Sequence, residues 1–332
     1  MSLSPSPVFP FVSLCLASVL GLASTPAVAQ SNSLDDIHFT GPLITPNAAG
    51  LPHGAWNVEP YLVRVDSDHY YDADGNRTRS NGSSGAWLTV VPIAHGISDR
   101  VTAQVNLSAV RAESGASRSG GFRAGDTTAR LQFLLQAPDA DGARPAVAVA
   151  LTQRFATGSY DRVGGNPLNA QGDGVQRTSA AVAVQQVLWL PNGRPLRWRG
   201  QFSASPAPSR VALHDSSVYG TGPDFRGSVA RGSLLGLSMA AEYSISARWV
   251  GVFEVSASRE SDQQLSGYVP GDDGVARRIE ERRPASSSIS LAPAVEYHFA
   301  PNVGLIAGVE FSVGGRNSGA FISPQIALAM SF

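Results

Sequence analysis

Residues 101–109 place Val101, Ala103, Val105, Leu107 and Ala109 on one parity and Thr102, Gln104, Asn106 and Ser108 on the other. Such alternation marks a strand with one apolar face. It recurs at 249–257, where Trp249, Gly251, Phe253, Val255 and Ala257 alternate with Val250, Val252, Glu254 and Ser256. It recurs again at 289–299, with Ile289, Leu291, Pro293, Val295, Tyr297 and Phe299 on the apolar side. Read this way, the chain predicts about twelve strands, near 55–65, 85–94, 100–111, 126–136, 145–156, 178–190, 195–205, 228–244, 248–259, 286–299, 302–313 and 319–332. Each spans roughly 10–14 residues, against about 5–6 for a soluble strand and about 9–11 for one tilted across a bilayer. After residue 30 there is no run of 18 apolar residues. The expected fold is therefore all-β, a closed antiparallel transmembrane barrel occupying residues 54–332.

The connections alternate in length. Long, Gly/Ser/Asp-rich ones are expected at 66–84, 112–125, 157–177, 206–227 and 260–285, and short ones at 95–99, 137–144, 191–194, 245–247 and 300–301. Outer-membrane barrels have short periplasmic turns and long extracellular loops. An N-terminus in the periplasm puts every short connection there; the short last loop, 314–318, is the exception. Trp56, Trp198, Tyr243, Trp249, Tyr297, Phe299 and Phe332 share the apolar parity and sit at the periplasmic ends of the strands, the arrangement of an interfacial aromatic girdle.

The opposite parity carries Glu59, Arg130, Arg154, Arg197, Arg199, Glu242, Glu254, Glu296 and Glu310. A charge facing lipid at mid-membrane costs about 2–4 kcal/mol for Arg and less for Glu. Nine such charges would exceed the roughly 5–15 kcal/mol stability of an ordinary domain. They are expected to face the lumen. Gln153, Gln186 and Pro293 fall on the lipid parity as blemishes, and the parity of the sixth strand is ambiguous.

Residues 8–23 are a short apolar run followed by Ala27-Val28-Ala29, a small-x-small site, so 1–29 reads as a signal peptide cut before Gln30, though the usual basic n-region is missing. Cys15 lies inside it, which leaves the mature chain without disulfide, thiolate metal site or cysteine nucleophile. Residues 30–53 contain Pro42, Pro46 and Pro52, and are expected to fold into the periplasmic mouth as a partial plug. The chain is 43% hydrophobic and 15% charged with net charge −1, which argues against disorder and against nucleic acid as a partner. All 25 basic residues are Arg, a feature with no structural account.

The chain ends Ile326, Leu328, Met330, Phe332 on alternate positions. This resembles the C-terminal signal read by the barrel assembly machinery. The stretches Phe39–Pro42, Leu51–Gly54 leading to Glu59-Pro60-Tyr61, Gly96–Val101, Gly125-Asp126, Phe155–Gly158, and Ala241–Ile245 before Arg248-Trp249 follow one another in a familiar order. The sequence resembles the outer-membrane family of the putative MetA pathway of phenol degradation, a set of transporter-like barrels. That resemblance implies uptake of aromatic or other apolar compounds, and no catalytic residue.

The function expected is passive passage of small apolar or aromatic solutes through the outer membrane of a Gram-negative bacterium, with lipid and lipopolysaccharide as surroundings and with no cofactor, metal or enzymatic activity. Twelve strands imply a narrow or partly blocked lumen. The inward Arg residues come from strands four to seven and the inward Glu residues from eight to eleven. They are expected either to face one another across a constriction or to form an ion-pair network that plugs it. Two rival functions stand beside this one. A lipid-hydrolysing barrel would use His214 with Ser216 or Ser217. A structural or adhesive barrel would bind a surface partner through its loops. Asp72-x-Asp74-Gly75 has the start of a calcium loop without the later ligands, and Arg282-Arg283 beside Glu280-Glu281 reads as a solvated cluster that could touch lipopolysaccharide phosphates.

Overall fold

The computed structural model describes residues 37–271, 273 and 275–332. The expected signal peptide and residues 30–36 of the following segment lie outside these. Twelve strands close into an antiparallel ring. They are β1 (Trp56–Val58 continuing as Tyr61–Tyr71), β2 (Arg77–Ser98), β3 (Val101–Ser114), β4 (Thr127–Gln136), β5 (Ala146–Phe155), β6 (Arg177–Trp189), β7 (Pro195–Ser205), β8 (Leu234–Ser244), β9 (Trp249–Glu260), β10 (Ser286–Ala300), β11 (Val303–Arg316) and β12 (Ser318–Ser331). Each pairs with its neighbour in sequence, and β12 returns to β1 with Ser318 opposite Tyr71 and Ala327 opposite Tyr61.

Burial is inverted relative to a soluble protein. On β9, Phe253 and Val255 are 48% and 39% exposed while Glu254 between them is 0% exposed. The same inversion runs round the ring. Leu62, Leu107, Leu151, Val182, Phe202, Met239, Ile289 and Ile326 point outward, and Ala148, Ala183, Ala292 and Ala327 are buried inside. The ambiguous β6 is resolved by this contrast, with Val182 and Leu188 outward and Ala183 and Val187 inward. Two of the polar residues on the outer parity are satisfied locally. The Gln186 amide donates to Ala143 O at 2.6 Å and accepts from the Trp198 indole at 3.3 Å, and Gln153 accepts from Thr178 Oγ1 at 2.6 Å. Pro293 lies where the ladder to β11 skips from Leu291–Phe311 to Ala294–Gly308, so its missing N–H interrupts no pair there.

Of the five connections expected to be long loops, 66–84 and 260–285 are largely strand, whereas 157–177 carries only the 3-10 turn Pro167–Asn169 before β6 begins. The 66–84 loop is a hairpin whose strands run to Tyr71 and start again at Arg77. Residues 77–84 are polar on both faces and carry no alternation to betray a strand. The expected 228–244 strand is two, broken at Gly232. A Cβ there would sit 2.4 Å from Ser261 O, so only glycine admits this close crossing. Its first part, Arg226–Ala230, joins Val211–His214, Gln263–Pro270 and Ala276–Arg283 in a separate four-stranded sheet. That sheet has its own core of Val211, Leu213, Tyr219, Phe225, Val229 and Leu265. The 314–318 loop reduces to Asn317 at φ 49°.

Candidate functional site: the barrel interior

The candidate site is the space inside the ring and the chain folded into it. Strand alternation turns Glu242, Glu254 and Glu296 inward, and the segment preceding β1 lies against them. Glu296 accepts the backbone N–H groups of Thr40 at 2.7 Å and Gly41 at 3.1 Å. Glu254 accepts those of Ile44 at 3.1 Å and Thr45 at 2.8 Å, together with the Thr45 hydroxyl at 2.9 Å. Two buried carboxylates thus satisfy donors of a stretch that forms no strand, as buried polar groups require. Phe39 and Leu43 pack on Val250, Val252 and Ile306. Further along, the Gln132 amide donates to Asn47 O and Ala48 O at 3.0 and 3.1 Å, and Thr102 Oγ1 accepts Leu51 N–H at 2.9 Å. The close fit of this chain shows at Gly96, where a Cβ would sit 1.9 Å from Pro52 O.

The inward charges are arranged differently from the sector expectation. Arg197 and Arg199 do not face Glu242 across the barrel; they meet it between the adjacent β7 and β8. Arg197 Nε and Arg199 Nε donate to Glu242 Oε2 at 2.8 and 2.9 Å. Adjacent strands bring Arg197 and Glu242 directly opposite each other in register, which makes pairing cheaper than separation. The Arg197 guanidinium also stacks on Phe39 with its centre 4.1 Å from the ring centroid. Arg154 belongs elsewhere. It binds Asp126 at 2.7 Å and Asp173 at 3.1 Å, in a network continued by Arg231–Glu260 at 2.6 Å and Arg177–Glu260 at 3.0 Å. Of this network only Arg154 is among the lumen-facing residues read from the sequence, although Asp126 belongs to the Gly125-Asp126 stretch. Asp173 lies in a connection, Asp126 and Arg231 fall just outside barrel strands that the alternation extends over them, and Arg177 and Glu260 sit at strand ends that the sequence reads as loop.

Glu59 accepts the Tyr61 hydroxyl at 2.9 Å. Arg130 Nη2 donates to Gln132 and Gln201, and Glu310 accepts from Ser290 Oγ at 2.7 Å and Gln325 Nε2 at 3.3 Å. Between the inserted chain, through Phe39–Asn47, Gly50 and Leu51, and the barrel wall a cavity of about 720 Å³ remains. Val63, Val65, Leu88 and Val90 form an apolar wall, while Gln104, Asn106, Arg130, Gln132 and Gln325 form polar ones.

The fold has known counterparts. It is similar to the COG4313 outer membrane channel from Pseudomonas putida F1, with a TM-score of 0.59 and 15% identity over 86% of this chain and 98% of that one. At that identity the likeness is one of fold. The toluene transporter TodX of Pseudomonas putida gives a TM-score of 0.40 at 10% identity, over 84% of this chain and 90% of that one. The translocator domain of the autotransporter NalP from Neisseria meningitidis gives 0.43 at 11%, over 85% and 90%. No family model and no curated protein matches the sequence, so the resemblance to the phenol-degradation family rests on its short motifs.

The aromatic residues Trp249, Tyr297 and Phe299 form a chain at the rim of short turns, with centroids 4.7 and 5.0 Å apart. Trp56 stacks on His95 at 4.2 Å, and its N–H bonds Phe332 O at 3.0 Å. Tyr243 binds Asn192 at the next turn, at 3.0 Å, and Trp198 binds Gln186. His214 pairs with Asp161 at 3.3 Å, but Ser217 Oγ bonds Thr221 and Tyr219 instead. Among the described residues no serine hydroxyl hydrogen-bonds His214. Asp72 accepts the N–H groups of Asp74 and Asn76, both at 2.9 Å, so its carboxylate closes its own turn.

Proposed function

We propose that this protein is an outer-membrane channel for small apolar or aromatic solutes, with residues 37–53 serving as a partial plug. One observation carries the reading: charged side chains are buried inside a ring whose outer face is apolar, and a cavity of about 720 Å³ remains in that interior. Such a ring suits a lipid exterior. The apolar wall of Val63, Val65, Leu88 and Val90 supports an apolar solute, and pockets of a few hundred Å³ suit small molecules. The rim aromatics favour the headgroup level, with lipopolysaccharide outside and delivery by the assembly machinery through β12. The test is liposome swelling with aromatic and aliphatic solutes. The full chain should pass them slowly and a chain lacking 37–53 faster; no flux with either would overturn the channel reading.

A further inference from the structure

Two of the charges lining the cavity, Arg130 and Glu310, flank its apolar wall from either side, while a third, Glu59, sits beside that wall's own strand β1 and is held by the Tyr61 hydroxyl. The cavity's arginines are Arg130, Arg197 and Arg199, and the last two are neutralised by Glu242. Among the described residues Arg130 has no carboxylate within 4.0 Å. Its Nη2 makes both bonds, to Gln132 Oε1 at 3.1 Å and Gln201 Oε1 at 2.9 Å, leaving Nε and Nη1 without a protein acceptor. Glu310 lines the same cavity and is held only by a hydroxyl and an amide, with no cation within 4.0 Å. Neutral hydrogen-bond partners fix these side chains without cancelling their charges. Arg130 stands on β4 and Glu310 on β11. The path between them runs β11–β12–β1–β2–β3–β4, nearly half the ring, so the two occupy opposed walls. The apolar residues Val63, Val65, Leu88 and Val90 come from β1 and β2, midway along that path.

Resting on the channel reading, we infer that this cavity binds a zwitterionic solute of the apolar amino-acid type. Its carboxylate lies at Arg130, its ammonium at Glu310, and its side chain on the valine and leucine wall. A planar guanidinium with two unused edges suits a carboxylate. A carboxylate facing it across the space draws the opposite end, as paired charges do in selective pores. Neither wall alone would prefer a molecule carrying both signs.

Titration calorimetry on the full chain in detergent tests this with L-phenylalanine, 3-phenylpropionate, 2-phenylethylamine and 2-phenylethanol. Phenylalanine should bind tightest. Arg130→Gln should weaken phenylalanine and phenylpropionate roughly tenfold or more and leave phenylethylamine unchanged, since a bond to a charged group is worth about 1.5–3 kcal/mol. Glu310→Gln should do the reverse, and Arg130→Lys should recover part of the loss. Retained heat-modifiable migration in gels confirms that each variant is a barrel. Opposite shifts of the reversal potential in planar bilayers should accompany the two substitutions. If all four probes bind alike while phenylethanol still crosses liposomes, the inference fails and the channel stands; if no solute crosses, both fall.

Discussion

Thr45 is bound twice to Glu254, through its backbone N–H at 2.8 Å and its hydroxyl at 2.9 Å, both onto Oε2. The contact spans 209 residues of sequence and ties the chain before β1 to β9, four strands away round the ring. Glu254→Gln keeps the shape and removes the charge, weakening acceptor bonds worth about 1.5–3 kcal/mol. Amide exchange at Ile44 and Thr45 should accelerate roughly tenfold or more, with a rise in conductance. Unchanged exchange would mean that Glu254 does not hold the segment.

Gly96→Ala tests the same docking by shape. The new Cβ would fall 1.9 Å from Pro52 O and 2.8 Å from its carbonyl carbon, and neither atom belongs to a side chain that can swing away. The bond between Leu51 N–H and Thr102 should be lost, raising exchange along 47–53 while the barrel keeps its heat-modifiable migration. Gly82→Ala is the matched control, since its Cβ would meet nothing within 4 Å. Equal behaviour of the two variants would refute the close fit.

Glu242→Gln leaves Arg197 and Arg199 buried without their counter-ion. Breaking a buried pair in this way costs about 3–5 kcal/mol. Unfolding by urea in lipid vesicles should show a lower midpoint. The triple variant with Arg197→Met, Arg199→Met and Glu242→Leu should regain most of the loss, because a matched apolar replacement leaves no bare charge. A triple variant as weak as the single one would show that the network contributes more than its ion pairs.

Asp72 governs the tip of the first hairpin. The Asn76 N–H and its amide, with the Asp74 N–H, hold the Asp72 carboxyl below the usual carboxylate range. The folded state therefore favours the ionised form. The stabilisation is present above the ordinary carboxylate pKa and is lost as pH falls through the depressed folded value. Protection of the Asp74 and Asn76 N–H groups, taken relative to the intrinsic exchange rate at each pH, should fall on acidification through that window, and Asp72→Ala should show low protection at every pH. A tip equally protected at acid and neutral pH would contradict the assignment.

The ring was legible because lipid imposes a strict rule on every second residue. Where the wall faces acyl chains, as at Val105 and Leu107 or Phe253 and Val255, strand limits read from alternation match the structure within a few residues. The signal ends where the strands leave that environment. Arg77–Ser84 continues a strand through water, so nothing selects apolar residues there. Val211, Leu213, Phe225 and Leu265 belong to an outer sheet whose short strands resemble loop sequence. In the interior, parity placed charges inside but could not pair them. The partner of Arg197 depends on register, and the donors for Glu254 and Glu296 are backbone N–H groups, which no side-chain pattern records.

The bond between Asn57 and Ser331 joins positions 274 residues apart, with Trp56 and Phe332 exchanging backbone bonds beside it at 3.0 and 2.9 Å. Confining so long a loop costs about 5 kcal/mol in chain entropy, incurred before the closing contacts form. Until those two borders meet, the sheet offers a pair of open edges to any passing strand. Circularisation is thus the step that removes the open borders of the ring, and slowing it lengthens the time in which a stray strand can pair there.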